Sequence, residues 1–93
     1  MNSEKLGDAI KSIGKKSFVE DYDIYSNQHI PLSKKIEVLS KKYSKNGATI
    51  RVSFANEIIK NHKQKDALEL IIHSPRMSDD VKEQAKKVLI DLA

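Results

Sequence analysis

From Leu6 to Leu92 the apolar residues return at spacings of three and four, and strict alternation of apolar with polar residues occurs only in Thr49–Phe54. Such a chain gathers its apolar side chains on helix faces, and three glycines and two prolines give it few places to turn. The expectation is an all-α fold: a compact bundle of four to five short helices in one domain over residues 1–93. The absence of cysteine leaves the apolar core to hold the fold without disulfides, and it excludes thiolate catalysis and cysteine-ligated zinc. The longest apolar runs, Ile58-Ile59, Leu70-Ile71-Ile72 and Val88-Leu89-Ile90, fall far short of a membrane span. The start, Met1-Asn2-Ser3-Glu4, lacks the apolar stretch of a signal peptide, so a cytoplasmic location is expected.

Ser3 suits the N-cap of a first helix whose Leu6, Ala9, Ile10 and Ile13 share a face, with Gly14 at its end. Ser17-x-x-Glu20 has the form of a capping box ahead of Phe18, Val19, Tyr22 and Tyr25, which predicts a short second helix. Pro31 and Ser33 open a third, with Leu32, Ile36, Leu39 and Tyr43 in register and Asn46-Gly47 as its left-handed stop. Thr49 then caps a helix whose Ile50, Val52, Phe54, Ala55, Ile58 and Ile59 cover an arc of about 200°, unless the β-branched alternation of Thr49–Phe54 makes a strand. Asp66-x-x-Glu69 begins the stretch that Pro75 ends, leaving 50–74 as one bent helix or two. Ser78 caps the last helix, with Asp79 and Asp80 in its first turn and Val81, Ala85, Val88, Leu89 and Leu92 on its inner face.

The net charge of +4 is unevenly placed. Residues 1–31 carry four lysines against five acids, residues 32–65 nine Lys or Arg against Glu37 and Glu57, and residues 66–93 four against six. A basic middle between acidic ends is the pattern of a chain that presents one surface to a polyanion. AT-biased coding also produces lysine in excess over arginine, here fifteen to two, and solvated lysines on an amphipathic helix are the competing explanation.

Catalytic chemistry is poorly supplied. His29, His62 and His73 include no i,i+4 pair, and Glu20-Asp21-Tyr22-Asp23 lacks the glycine and terminal glutamate of a calcium loop. Gly7, Gly14 and Gly47 are too scattered to cradle a phosphate. The expectation is a protein that is not an enzyme and uses no cofactor or metal, with His62 as a packing residue. Residues 32–63 instead read as helix, tight turn, helix, the outline of a DNA reader. Ser53, Asn56, Lys60 and Lys63 fall on the side of the second helix opposite its apolar arc, where Asn suits adenine, Ser a base edge and Lys guanine or phosphate. Arg51, Lys41, Lys42 and Lys45 would lie near the backbone, where cations supply most of the affinity. Glu57 sits close to that strip, and Tyr43 stands where helix-turn-helix packing calls for a small residue. The leading expectation is therefore a small DNA-binding regulatory or accessory protein, acting alone or as a homodimer.

The alternative is a helical protein-interaction module. In size, basicity and helix count the chain resembles the small cytoplasmic immunity proteins that protect bacteria from pediocin-like bacteriocins. That resemblance implies a protein partner, and an interaction module of this kind would meet its partner through Val38 or through a Tyr22/Tyr25 surface.

Overall fold

A computed structural model describes residues 1–92 of the chain. It holds α1 (Ser3–Ile13), α2 (Lys15–Glu20), α3 (Tyr22–Ser26), α4 (Leu32–Leu39), α5 (Lys45–Lys60), α6 (Gln64–Ile72) and α7 (Asp79–Leu92), with no strand among the described residues. The fold is all-α as the periodicity predicts. Seven helices stand where four or five were expected because two segments break, at Asp21 and at His62.

α1 is capped by Asn2 rather than Ser3: the Asn2 side-chain oxygen accepts the Lys5 N–H at 2.8 Å. Gly14 ends it with φ +91°, a conformation L side chains rarely adopt, and starts α2 at once. Ser17 is therefore not a cap but a residue inside α2, 7% exposed. Phe18 meets Tyr22 edge-on, with ring centroids 5.5 Å apart, and stacks against Tyr25 at 6.3 Å. Tyr22 and Tyr25 are core residues, 6% and 1% exposed, so no tyrosine surface exists for a partner there.

The stop expected at Asn46-Gly47 is also displaced. α4 ends at Leu39, the chain turns through Ser40–Tyr43, and the Ser44 hydroxyl accepts the Gly47 N–H at 3.0 Å as the cap of α5. A serine N-cap with its hydrogen bond outcompetes the left-handed tendency of Asn-Gly, so both residues enter the first turn of α5. Thr49–Phe54 is helical throughout, and the Thr49 hydroxyl donates to the Lys45 carbonyl at 2.8 Å instead of capping.

α5 is the central strut and packs against α1, α3, α4 and α6. It buries Ala48, Val52, Ala55, Ile58 and Ile59. This arc is narrower than expected and shifted toward Ala48, so Ile50 and Phe54 stay 49% and 38% exposed. The helix stops at Asn61 without a glycine: His62 adopts φ +56°, its N–H donates to the Ile59 carbonyl at 3.0 Å, and the Lys63 N–H donates to Ile58 at 2.9 Å. These paired bonds form a Schellman motif with histidine in the glycine position, and they make 50–74 two helices. His62 is an exposed terminator, not a packing residue.

α7 closes the bundle over α2 and α6. Its Ser78 hydroxyl accepts the Val81 N–H at 3.4 Å, Val81 and Ala85 are buried, and Val88, Leu89 and Leu92 pack partly against the core, as the sequence predicts.

Candidate nucleic-acid interface

The stripe of α5 that faces solvent beside α4 contains Lys45, Thr49, Ser53, Asn56 and Lys60. At 100° per residue they occupy an arc of about 80° along the whole helix. Lys45, Thr49, Ser53 and Lys60 are exposed and Asn56 is half-buried. Lys45 and Lys60 enter no ion pair among the described residues, nor does the exposed Lys41 in the turn before α5. Four of the sequence-predicted residues, Lys45, Ser53, Asn56 and Lys60, therefore share one side of one helix. Thr49 joins them from inside the helix, since the cap is Ser44 and not Thr49.

The other predicted residues lie apart. Lys63 has left the helix and pairs with Asp66 at 3.5 Å. Lys42 reaches Asp21 at 3.2 Å and Glu20 at 3.7 Å, so the acidic N-terminal third neutralises part of the basic middle. Burial alone would lower the Lys42 pKa, but its hydrogen bond to Asp21 and the charges around it outweigh that and hold it above the ordinary lysine value. Arg51 is turned to the opposite side of α5 from Ser53. Its guanidinium lies 4.0 Å from the Tyr43 ring centroid and donates to the Gly47 carbonyl at 3.2 Å. The close approach relies on Gly47, where a Cβ would stand 3.0 Å from the Arg51 terminal nitrogen and from the Ser44 hydroxyl.

Tyr43 is held in turn by a polar cluster that periodicity does not announce. Its hydroxyl lies 2.8 Å from the Ser17 hydroxyl and 3.3 Å from the Asp21 carboxylate, and the Ser17 hydroxyl pairs with that of Tyr25 at 2.8 Å. Burial pushes the Tyr25 pKa up to about 12, so this hydroxyl stays protonated throughout the physiological range. The cluster pulls Tyr43 away from the α4 face on which its spacing placed it. It ties α2, α3 and the turn before α5 together, and it fixes where Lys41 and Lys45 emerge.

Flanking the stripe on its other side are Ile50, Phe54 and Glu57, the acid being exposed. No group of three His, Asp or Glu side chains among the described residues is placed to hold a metal ion, and no helix there is long and apolar enough to cross a membrane. No family model matches the chain, and neither a curated protein nor a solved structure matches it.

Proposed function

We propose that the protein binds DNA through the solvent stripe of α5, with α4 and its following turn lying alongside in a helix-turn-helix-like arrangement, and that it acts as a small regulatory or accessory protein. The observation carrying this reading is the coincidence of unpaired cations with readers on one helix side. Lys45 and Lys60 mark the two ends of the stripe, and Ser53 and Asn56 lie between them. The lysines suit phosphate, the serine a base edge and the asparagine adenine. Arg51, Lys42 and Lys63 are set aside, since each already has a partner within the chain.

Three free cations, Lys41, Lys45 and Lys60, set the expected salt dependence. Three phosphate contacts give a log–log slope of about −2.7, so affinity falls about 40-fold between roughly 50 and 200 mM salt. Fluorescence anisotropy with mixed-sequence duplex DNA measures this directly. Lys45→Glu with Lys60→Glu should abolish binding while the circular dichroism spectrum stays helical, because both side chains are exposed. Unchanged affinity in that variant overturns the proposal.

A second reading, protein recognition, is favoured by Ile50 and Phe54, exposed apolar residues one turn apart on α5. Ile50→Gln with Phe54→Gln, which removes the apolar pair without adding charge beside the stripe, separates the two readings: it spares DNA affinity under the first and destroys partner binding under the second.

A further inference from the structure

α4 carries a charge that no acidic group among the described residues pairs with. Lys35 is 5% exposed, its ammonium donates to the Tyr25 carbonyl at 2.8 Å, and it enters no ion pair among the described residues. An ammonium has three donors, and the protein occupies one of them. Burial pushes its pKa below the ordinary lysine value.

Beside it lies a recess of about 370 Å³ between the α3–α4 connection and the C-terminal half of α5. Lys35, Lys60, Asn56, Ser26 and Gln28 supply hydrogen-bond donors along its lining, and no acidic residue borders it. Ile30, Leu32 and Ile59 make an apolar wall, with Leu32 left 44% exposed. The volume is at the small end for small-molecule sites, enough for one ring or a short branched chain beside an anionic head.

We propose that this recess binds a small organic carboxylate with an apolar body, its carboxylate received by the Lys35 and Lys60 ammonium groups and the Asn56 amide, its body against Ile30, Leu32 and Ile59. A carboxylate supplies the acceptors that Lys35 lacks, and an apolar body covers the wall that a bare inorganic anion would leave wet. The inference does not depend on DNA binding.

The test uses the full chain, followed by amide chemical shifts in NMR, with phenylacetate and 4-methylpentanoate as probes against acetate, inorganic phosphate and phenylacetamide. The expected result is saturable shifts centred on Lys35, Asn56 and Ile59 with both probes. Acetate, phosphate and the neutral amide should bind at least about tenfold more weakly, a difference of about 1.4 kcal/mol. Lys35→Met should abolish the response, and Lys60→Gln, at an exposed position that does not threaten the fold, should weaken it several-fold. Phosphate binding as well as phenylacetate, shifts centred elsewhere, no response, or an unaltered response in Lys60→Gln and in a folded Lys35→Met would each overturn the proposal. If Lys35→Met does not fold, Lys60→Gln and phenylacetamide decide it alone.

Discussion

Replacing Ser17 with alanine removes the hydroxyl that both Tyr25 and Tyr43 contact at 2.8 Å. Tyr43 keeps a second acceptor in Asp21, but the Tyr25 hydroxyl has no other hydrogen bond and its residue is 1% exposed. Leaving a buried hydroxyl unpaired costs about 1–3 kcal/mol. Alanine inside α2 recovers about 0.5 kcal/mol of helix propensity, so the net loss is about 0.5–2.5 kcal/mol. In a domain of this size that corresponds to a fall in Tm of about 2–20 °C. Urea unfolding with a shared slope measures it. The mechanism is isolated by adding Tyr25→Phe: with both hydroxyls gone nothing is left unpaired, and the double variant should be more stable than the sum of the single losses predicts by about 1 kcal/mol. A loss under about 0.5 kcal/mol for Ser17→Ala, or simple additivity with Tyr25→Phe, would refute the assignment of this cluster as a stabilising network.

Three further outcomes are expected. His62→Gly should raise stability by about 0.5–1 kcal/mol, since φ +56° costs an L residue about 1–2 kcal/mol and the greater freedom of glycine in the unfolded chain offsets part of the relief; a lower Tm would contradict the Schellman assignment. Gly14→Ala should cost about 1–2 kcal/mol in chemical denaturation although its Cβ would meet nothing closer than the Ser17 Cβ at 3.8 Å, because φ +91° is the obstacle; a neutral result would mean the α1–α2 junction relaxes freely. At alkaline pH the buried tyrosines set the sign. Burial raises Tyr25 to about 12 and moves Tyr22 in the same direction, so the folded chain retains protons that the unfolded chain releases near pH 10. Their contribution is intact below about pH 10 and is lost as pH climbs through about 12, while Lys35, shifted the other way, opposes the trend. A fall in denaturant midpoint between about pH 9 and 11.5 that is as steep in Tyr25→Phe as in the unaltered chain would show that Tyr25 does not set the trend.

The helices were legible where apolar spacing and caps agree. α7 follows Ser78, Val81 and Ala85 closely, and α4 begins as Pro31 and Leu32 require. The junctions were not, because each depends on a competition that local sequence leaves balanced. Ser44 and Asn46-Gly47 both offer a plausible boundary, and the cap wins by joining Tyr43 to Ser17 across 26 positions. The break at His62 carries no glycine to announce it. Of the proposed interface, Ser53, Asn56 and Lys60 fall on one side of a helix from periodicity alone, and Lys45 joins them only because α5 begins ahead of Asn46-Gly47. The diversion of Arg51, Lys42 and Lys63 could not, since it depends on Tyr43, Asp21 and Asp66. Lys35 did leave a signal. It stands three residues after Leu32 and four before Leu39, on the inward face of α4, which is an unusual place for a lysine.

Tyr25 is fastened at both ends, its hydroxyl to Ser17 in α2 and its backbone carbonyl to Lys35 in α4. Five residues of helix have no stability of their own. α3 therefore cannot fray one turn at a time like the end of a long helix: to open, it must release both neighbours together. Its amides, among them Ile24 and Tyr25 bonded to the Asp21 carbonyl, are therefore expected to exchange with deuterium no faster than those of the helices they join. The shortest helix among the described residues thus opens only together with the two helices that hold it.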